Sequence, residues 1–329
     1  MATTVSAAFV EFDRNFVSLD AEKTIIARKS RSWLLEQLST LPEKINDFPR
    51  LYQERHVHHG SFSRNTKIQP LDDIDLLLTF SGDGTTYDTT THGKNYILRV
   101  PETATSLKYL CNEDGTLNSI KLVNKVVSSL NKIDQYKAAE KHRRGEAATL
   151  QLLSYEWNFD IVPSFYTDTG HYIIPDGVGG WKASDPRIDH NRIQTENTRH
   201  GGKVPLFVRK MKYWNNRAMM KTIPSYLLEN IVISYCEAQE SISEFIDINL
   251  INFWAHLSTA IYNEVPDPKG FQGNLNNLTL IEKQGISAKA EEVWKKGREA
   301  FMFETEEKNH QKAVNKWREI FGDNFPRYE

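Results

Sequence analysis

The sequence predicts an α+β fold, with strands and helices mixed in the first half and helices alone in the second. Residues 73–80, DIDLLLTF, form a short apolar run between polar turn residues, and residues 148–165 are rich in branched and aromatic side chains. Both patterns are typical of strands, and the second also fits a hairpin. We expect an N-terminal helix and a sheet-containing core over residues 1–204, and a helical C-terminal lobe over residues 205–329. The helical expectation rests on apolar residues that recur at helical spacing in residues 206–219, 225–238, 248–265 and 286–322.

The composition excludes several classes of protein. The net charge of −2 over 329 residues argues against a broadly basic nucleic-acid-binding surface. The two cysteines, Cys111 and Cys236, are too few for a zinc ribbon and do not indicate a disulfide framework. No apolar run approaches the roughly 18 residues of a membrane span, and the N-terminus lacks the basic start and apolar core of a signal peptide. We expect a cytoplasmic protein without membrane association.

Helical spacing also predicts two helices within the first half. One covers approximately residues 19–41, and the other covers residues 118–133. The stretch HYIIPD, residues 171–176, predicts a further short strand, and a glycine-rich turn follows it at residues 177–181. Residues 81–95 are rich in Thr, Gly and Asp, a composition that predicts a long exposed loop.

Asp73 and Asp75 lie at the start of the strand predicted over residues 73–80. Residues two apart in a strand point to the same face, about 7 Å apart along the chain. The two carboxylates therefore face together, while Ile74 turns towards the core. Two carboxylates on one face repel each other unless a cation lies between them, and Mg²⁺ takes oxygen ligands from carboxylates and substrate phosphates. By itself, such a pair is more often two solvated acids at the entrance of a strand.

A third acid, Asp160, stands between Phe159 and Ile161 in the second apolar segment. An isolated carboxylate is costly to bury unless it is paired or binds a metal, although alone it is more often a structural acid. If the two strands are neighbours, three carboxylates converge on one point. That arrangement suits two metal ions about 3.5–4 Å apart, one activating an attacking hydroxyl and one bound to the transferred phosphate.

A Gly-Ser turn, Gly60 and Ser61, precedes the acidic pair by about a dozen residues. Glycine lets the backbone approach a ligand closely, and successive amides in such a turn can hold phosphate oxygens. Gly-Ser pairs alone are common in turns. A Gly-Ser pair followed at this distance by D-x-D at a strand start is much more specific.

Together these features resemble the polymerase-β-like nucleotidyltransferase superfamily, whose signature is a Gly-Ser turn, a D-x-D strand and a later single Asp. Within it, the chain is most similar to the bacterial cGAS/DncV-like nucleotidyltransferases (CD-NTases), which make nucleotide second messengers in anti-phage defence. The resemblance runs from about residue 10 to the end, through HGSFSRNT, DDIDLLLTF, FDIVPSF, YIIPD…GGWKASDP, LFVRKMKYWNN, IPSYLLENIV and WREIFGDNFP. It implies a polymerase-β-like nucleotidyltransferase sheet with flanking helices plus a helical C-terminal lobe, in a bilobed molecule with a central active-site cleft.

The resemblance also implies roles for the residues in the first half of the chain. Asp73 and Asp75 match the metal-binding pair of the family, and Asp160 matches the third acid, which helps to activate the attacking sugar hydroxyl. The implied cofactor is Mg²⁺, with Mn²⁺ as a substitute. Gly60 and Ser61 match the turn that grips the triphosphate.

In the second half, the resemblance matches Lys212 to a phosphate-contacting lysine. It matches Ser225 to a serine that touches phosphate and Tyr226 to a tyrosine that stacks on a base. In the first half of the chain, it also adds Thr66 to the phosphate-binding turn of Gly60 and Ser61. The residues alone leave other interpretations open. Lys212 lies off the apolar stripe of its predicted helix and would otherwise be a solvent-facing lysine, and Tyr226 would fit a half-buried core position. Pro224 and Ser225 fall at a predicted helix start, where amides are free to meet an anion.

Several other patterns are set aside. His56, His58 and His59 lie together in HVHHG, but no cysteine or spaced partner histidine accompanies them, so we do not expect a zinc site. GVGG, residues 177–180, lacks the Lys-Ser or Lys-Thr that a Walker-type phosphate loop needs. KHRRGE, residues 141–146, is interpreted as a solvated connector, with phosphate or RNA contact as the weaker alternative. The chain lacks the His and Cys cluster of the animal DNA-sensing relative, so zinc-dependent DNA sensing is not expected.

The resemblance implies a Mg-dependent nucleotidyltransferase that joins NTPs, at least one of them a purine nucleotide, into a cyclic di- or oligonucleotide. This product would be a second messenger in bacterial anti-phage (CBASS) signalling. Synthesis of linear oligonucleotides, nucleotidylylation of another acceptor, and an inactive nucleotide-binding scaffold remain alternatives. We expect a monomer whose product reaches a downstream effector. A regulatory protein partner is left open, as are the bases, the linkage and the ring size.

Overall fold

The computed structural model describes residues 2–89 and 95–329, and this part of the chain has the predicted α+β composition. Its strands are β1 (Val57–His59), β2 (Asp73–Phe80), β3 (Thr86–Thr89), β4 (Tyr96–Arg99), β5 (Glu140–Arg144), β6 (Ala147–Gln151), β7 (Asn158–Tyr166), β8 (Tyr172–Pro175) and β9 (Trp181–Ser184). Its α-helices are α1 (Val5–Phe12), α2 (Ala21–Ser39), α3 (Leu41–Lys44), α4 (Gly60–Ser63), α5 (Thr105–Lys108), α6 (Ser119–Ser129), α7 (Pro186–Arg199), α8 (Val204–Arg217), α9 (Ser225–Glu237), α10 (Ile246–Ala260), α11 (Leu280–Thr305) and α12 (His310–Phe321). None of the described helices is both long and apolar enough to cross a membrane.

The chain divides into two compact units. The sheet unit comprises residues 21–64 and 71–190, and the helical unit comprises residues 1–20, 65–70 and 191–329. These units do not coincide with a division between residues 204 and 205, because the first 20 residues and a short segment after the Gly-Ser turn belong to the helical unit.

All described strands belong to one mixed sheet in the sheet unit. Its strand order is β1-β2-β7-β8-β9-β4-β3, and the β5–β6 hairpin joins it where β6 pairs with β7. β2 and β7 run parallel over their whole paired length, whereas the other strand pairs are antiparallel. The buried residues Ile74, Leu76 and Leu78 alternate along β2 and fix one face of that strand in the core.

The predicted loop over residues 81–95 is wrong in part. Thr86–Thr89 forms β3, which pairs with β4 in an antiparallel register, and residues 90–94 lie outside the described residues. Tyr87 explains the strand, because its ring packs 5.7 Å from that of Tyr96. Aromatic and Thr residues favour a pleated surface once a partner strand is present.

The helical unit has its own core, and α1 contributes to it. The Phe9 ring lies 4.9 Å from that of Trp317 and 5.0 Å from that of Phe325, measured between ring centres. Between α8 and α10, Trp214 and Trp254 pack 5.8 Å apart. Aromatic pairs at these separations add to the stabilisation from burial, so α1 joins this core although it lies at the other end of the chain.

Candidate active site

The carboxylates of Asp75 and Asp160 lie side by side in the sheet. In the parallel pairing of β2 with β7, Asp75 is the register partner of Asp160, and Asp73 is the partner of Asn158. Register partners on neighbouring strands share a face, and the strands are about 4.8 Å apart. Asp73 lies two residues before Asp75 and therefore faces the same way. The predicted convergence of the three carboxylates required β2 and β7 to be neighbouring strands, and the structure pairs them directly.

The same face carries a row of side chains across four neighbouring strands. His59 of β1 is the register partner of Asp75, and Thr149 of β6 is the partner of Asp160. The Thr149 hydroxyl donates a hydrogen bond of 2.6 Å to Oδ1 of Asp160, and Thr149 itself is buried. Sequence reasoning missed Thr149, because only the pairing of β6 with β7 places it beside Asp160.

Gly60 makes the closest approach to this row. Its φ is +74°, and a Cβ built at Gly60 would lie only 1.7 Å from Oδ2 of Asp75. No side chain fits there, and a left-handed φ is strained for residues other than glycine. The Gly-Ser turn and the acidic pair therefore meet through Gly60 and Asp75, and Ser61 follows in the single turn of α4.

The acidic row provides carboxylate oxygens, the ligand type that Mg²⁺ prefers. Within residues 2–89 and 95–329, no group of three or more His, Cys, Asp or Glu side chains is gathered closely enough to hold a metal ion by itself. Magnesium at phosphate-transfer sites commonly uses only one or two carboxylates and completes its shell with water and substrate phosphates. Adjacent Asp75 and Asp160 fit such a shared site, and the full ligand set of Asp73, Asp75 and Asp160 stays a prediction.

In the helical unit, Lys212 is buried in a polar cluster with Thr66 and Glu229. Its ammonium lies 2.6 Å from Oε2 of Glu229 and donates to the carbonyl oxygen of Thr66 at 3.2 Å. The Thr66 hydroxyl donates to the same Glu229 oxygen at 2.9 Å. Lys212 is only 5% exposed, so the interpretation as a solvent-facing lysine is wrong.

Breaking a buried pair of this kind is costly, because the remaining charge is left in a medium of low dielectric constant. Glu229 lies one turn into α9, too late to close a capping box at the start of that helix, and it binds Lys212 instead. The cluster brings the predicted residues Thr66 and Lys212 together, and sequence reasoning missed Glu229 because its partner lies on another helix.

Ser225 and Tyr226 open α9, directly after Pro224. Ser225 is exposed, and Tyr226 is half-buried rather than part of the core. The Tyr226 hydroxyl donates to Oδ1 of Asp267 at 3.4 Å and accepts a hydrogen bond from Lys269. The Lys269 ammonium also lies 4.2 Å from the centre of the Tyr226 ring. The base-stacking role of Tyr226 stays a prediction, and its ring is held in place by two other side chains.

The patterns set aside in the sequence have structural roles. His56 accepts a hydrogen bond of 3.0 Å from the backbone N–H of Thr79 through Nδ1, and burial lowers the pKa of His56 to about 4. The interpretation of residues 141–146 as a connector is wrong, because Glu140–Arg144 forms β5. Its hairpin with β6 provides the pairing that a connector lacks.

The chain matches no established family profile. It is 45% identical over 336 aligned residues to a probable cyclic nucleotide synthase of Bacillus cereus strain VD146, with 100% of both proteins covered. The chain belongs to the CD-NTase family. It is therefore a nucleotidyltransferase of the class that makes cyclic oligonucleotides. A second CD-NTase, the cyclic AMP-AMP-AMP synthase of Acinetobacter sp. strain ATCC 27244 / 9458, is 24% identical, and the match covers 86% of this chain and 75% of that protein.

Solved structures of CD-NTases share the fold. The CdnC protein of Escherichia coli MS115-1, in a complex with HORMA-deltaN, has a TM-score of 0.70 at 16% identity, with 98% of each chain covered. The cyclic AMP-GMP synthase DncV of Vibrio cholerae has a TM-score of 0.66 at 12% identity, with 99% of this chain and 98% of that chain covered. These likenesses confirm the α+β nucleotidyltransferase fold.

Proposed function

We propose that this CD-NTase joins NTPs into a cyclic di- or oligonucleotide that acts as a second messenger in bacterial anti-phage (CBASS) signalling. The observation that carries the proposal is the register of Asp75 beside Asp160, with Gly60 packed directly against Asp75. A sheet that presents adjacent carboxylates beside a phosphate-binding turn is suited to transfer of a nucleotidyl group.

In the proposed reaction, a ribose hydroxyl of one nucleotide attacks the α-phosphorus of an NTP. The new O–P bond forms as the bond between the α-phosphorus and its bridging oxygen breaks, and pyrophosphate leaves. Asp160, oriented by the Thr149 hydrogen bond, receives the proton of the attacking hydroxyl. A second transfer closes the ring.

Asp73, Asp75 and Asp160 would hold Mg²⁺, with Mn²⁺ as a substitute. When bound, the ion neutralises charge that develops on the transferred phosphate and lowers the pKa of the attacking hydroxyl. The chain's own residues bind and orient the nucleotide. The backbone N–H groups of the turn at Gly60 and Ser61 donate hydrogen bonds to the phosphate oxygens.

The remaining predicted residues belong to the helical unit and bind the nucleotide. We assign phosphate binding to Ser225 and Lys212, with Thr66 holding the lysine, and base stacking to Tyr226. The Lys212 ammonium is already paired with the Glu229 carboxylate. A bound phosphate would therefore share this ammonium with Glu229. Stacking of a base on Tyr226 would contribute about 1–3 kcal/mol.

The names of the relatives support purine-containing products. The Acinetobacter enzyme is a cyclic AMP-AMP-AMP synthase and the Vibrio enzyme a cyclic AMP-GMP synthase, so we propose that at least one substrate here is a purine NTP. The complex of CdnC with HORMA-deltaN supports a regulatory protein partner for this chain as well. A downstream effector that binds the product, a cytoplasmic location and a monomeric state complete the proposal.

The test is Asp75→Asn, assayed with labelled NTPs and Mg²⁺ followed by phosphatase. Wild type should yield a phosphatase-resistant product and release pyrophosphate. In Asp75→Asn, the rates of product formation and of pyrophosphate release should each fall at least about 100-fold, because misplacing or removing one reacting group has an effect of this size. Asp88→Asn is the control, since this exposed carboxylate of β3 forms an ion pair with the exposed Arg99 side chain, away from the acidic row.

Five outcomes would contradict the proposal. Unchanged pyrophosphate release in Asp75→Asn would remove the carboxylates from the mechanism. A wild-type product that loses its terminal phosphates to phosphatase would be a linear oligonucleotide, and label on an added acceptor would indicate nucleotidylylation. NTP binding by calorimetry without any turnover would point to an inactive scaffold. Activity that persists after chelation of divalent ions would exclude the Mg²⁺ requirement.

A further inference from the structure

A cavity of about 530 Å³ opens beside α2, within the sheet unit. Its walls come from Ile26 and Trp33 of α2, from Leu153 and Tyr155 after β6, and from Tyr136, in a single turn of 3-10 helix between α6 and β5. The volume lies within the range of small-molecule sites in proteins, which are mostly apolar and carry a few polar groups. The cavity is therefore large enough to hold a small ligand.

The cavity is separate from the acidic row of the sheet. Among the described residues that line it, none belongs to β1, β2, β7 or the Gly-Ser turn. Residues 152–155 lie in the connection from β6 to β7 and border the cavity, whereas Thr149 and Asp160, on those two strands, do not. A molecule bound here would not cover the residues that we assign to the nucleotide.

Two pairs of aromatic rings give the cavity a fixed apolar wall. The ring of Trp33 meets that of Tyr136 edge-on, with 5.4 Å between the ring centres. Tyr155 stacks on Trp157 at 4.4 Å, with the two ring planes 15° apart. Trp157 is 3% exposed and Tyr155 is 42% exposed. Contacts of this kind stabilise the ring positions, so Tyr155 is supported by Trp157 and still open to the apolar part of a ligand.

The hydroxyl of Tyr136 is the polar group that the fold leaves for a ligand. The residue is 4% exposed, and within the described chain no group forms a hydrogen bond with its hydroxyl. A tyrosine buried to this extent usually bonds its hydroxyl to another group of the protein. Burial raises the pKa of Tyr136, so the hydroxyl keeps its proton at neutral pH and is a donor. A ligand in the cavity would supply the missing acceptor.

The charges around the cavity favour an anion. Lys29 lines the cavity, is exposed, and forms no ion pair with any residue that the structure describes. By contrast, Lys23 on the same helix pairs with Glu156 at 2.8 Å. The described residues of the cavity wall include no Asp or Glu. An anionic group here would meet an ammonium and no carboxylate that repels it.

The Tyr136 hydroxyl and the Lys29 ammonium together suit a single carboxylate. A carboxylate carries one negative charge and two acceptor oxygens, so one group can accept from Tyr136 and face Lys29. Phosphate groups are commonly held by arginine or by several backbone N–H groups. Arginine is absent from the described residues that line this cavity, which favours a carboxylate over a phosphate.

We propose that this cavity is a binding site for a small apolar monocarboxylate. Its hydrocarbon body, aromatic or aliphatic, packs on Trp33 and Tyr155. Its carboxylate accepts a hydrogen bond from the Tyr136 hydroxyl and lies near the Lys29 ammonium. The site is independent of the proposed function, because none of the residues assigned to the nucleotidyl transfer takes part in it.

The test is calorimetry of the full chain with cinnamate, decanoate and cinnamyl alcohol. Cinnamate should bind at least about 5-fold more tightly than cinnamyl alcohol, because only the carboxylate gains an ion pair with Lys29 and a charge-assisted hydrogen bond from Tyr136. Tighter binding of cinnamate than of decanoate would assign the ligand to the aromatic acids, and the reverse order would assign it to the aliphatic acids.

Two variants locate the bound carboxylate. Tyr136→Phe should lower the affinity for cinnamate at least roughly 10-fold, the effect of one hydrogen bond to a charged group, with no fall in melting temperature. Lys29→Met should lower it about 2- to 5-fold, as expected for an exposed ion pair, and leave the affinity for cinnamyl alcohol unchanged. Lys132→Met is the matched control, because Lys132 is exposed and does not line the cavity.

A further titration is made in the presence of a saturating ATP analogue with a methylene bridge between the α- and β-phosphorus. The affinity for cinnamate should not change, because the cavity lies apart from the nucleotide-binding residues. Four results would overturn the inference: no binding of either carboxylate, equal affinity for cinnamate and cinnamyl alcohol, wild-type affinity for cinnamate in both variants, or displacement of cinnamate by the nucleotide.

Discussion

At the scale of single residues, the contact between Gly60 and Asp75 sets the tightest constraint in the sheet unit. Oδ2 of Asp75 occupies the space where a side chain at position 60 would begin. The carboxylate is thereby fixed from one side by backbone and from the other by its place in β2. The Thr149 hydroxyl likewise holds the Asp160 carboxylate in place, through one short hydrogen bond.

We expect Gly60→Ala to lower the rate of product formation by about 100-fold, because the new Cβ must push Asp75 out of position and displacements of about 1 Å have effects of this size. The matched control is Gly145→Ala. Gly145 also has a left-handed φ, +57°, but its Cβ would meet nothing within 4 Å. Both variants carry the backbone strain of about 1–2 kcal/mol, and only Gly60→Ala also displaces the carboxylate.

The measurements are the initial rate of pyrophosphate release and the melting temperature of each variant. Gly145→Ala should keep close to wild-type activity at a slightly lower melting temperature. If Gly60→Ala retained as much activity as Gly145→Ala, the position of the Asp75 carboxylate would not matter for the reaction.

At the scale of elements, the short strand β1 leads directly into the Gly-Ser turn. His56, just before it, is joined to β2 by the hydrogen bond that Nδ1 accepts from Thr79, and its Nε2 has no partner among the described residues. Burial lowers the pKa of His56 and of His58 to about 4 each. A proton on His56 would remove the acceptor of this hydrogen bond, so β1 is held to the sheet by a neutral imidazole.

The pH dependence of stability follows from this depressed pKa. Between pH 6.5 and about 4 the unfolded chain binds a proton on His56 and the folded chain does not, so the free energy of unfolding falls as the pH falls through this window. We expect His56→Asn, which keeps an acceptor near Nδ1, to remove on the order of 2 kcal/mol of this fall after allowance for partial exposure.

Urea unfolding of wild type and His56→Asn at pH 7 and pH 4 measures the difference. His142→Asn is the control, because His142 lies on β5 with its side chain 46% exposed. A wild type and His56→Asn whose stabilities fall in parallel would show that His56 is not a source of the acid sensitivity.

Helix α9 is a second element whose position depends on partners from elsewhere in the helical unit. Arg192 donates to both carboxylate oxygens of Glu237 at 2.7 Å and to Oδ1 of Asn230 at 2.6 Å. Near the other end of α9, Glu229 holds Lys212. Paired guanidinium–carboxylate bonds fix orientation as well as distance, so α9 presents Ser225 and Tyr226 in a defined direction.

At the scale of the whole chain, the helical unit is assembled from three separate segments. Its N-terminal segment enters the core through α1, whose Phe9 is 3% exposed. On the same helix, Val10 is 67% exposed. Chain ends are tied down only when such anchors pack against the core, and Phe9 provides the anchor here.

We expect Phe9→Ala to destabilise the helical unit by about 3–5 kcal/mol, the usual cost of removing a buried aromatic side chain. Val10→Ala should change the stability by no more than about 0.5 kcal/mol, as is usual for exposed positions. Guanidinium unfolding followed by tryptophan fluorescence checks both, since Phe9 packs on Trp317. Equal effects of the two substitutions would mean that α1 is not part of this core.

The sequence by itself determined those features that depend on local spacing. Alternation in DIDLLLTF places Asp73 and Asp75 on one face and Ile74 on the other. Helical spacing in the second half predicts α8, α9 and α10 and a helical run over residues 286–322, which the structure divides into α11 and α12. These predictions hold because residues two apart in a strand, or three and four apart in a helix, meet the same surroundings.

The tertiary structure alone decided which elements are neighbours. The pairing of β7 with β2 and β6 brings Asp160 beside Asp75 and Thr149 beside Asp160, and the packing of α8 against α9 gives Lys212 its partner Glu229. Residues Thr86–Thr89 form a strand because β4 pairs with them. Such contacts join residues far apart in the chain, and no local pattern records them, because register and packing are set by the fit of whole surfaces.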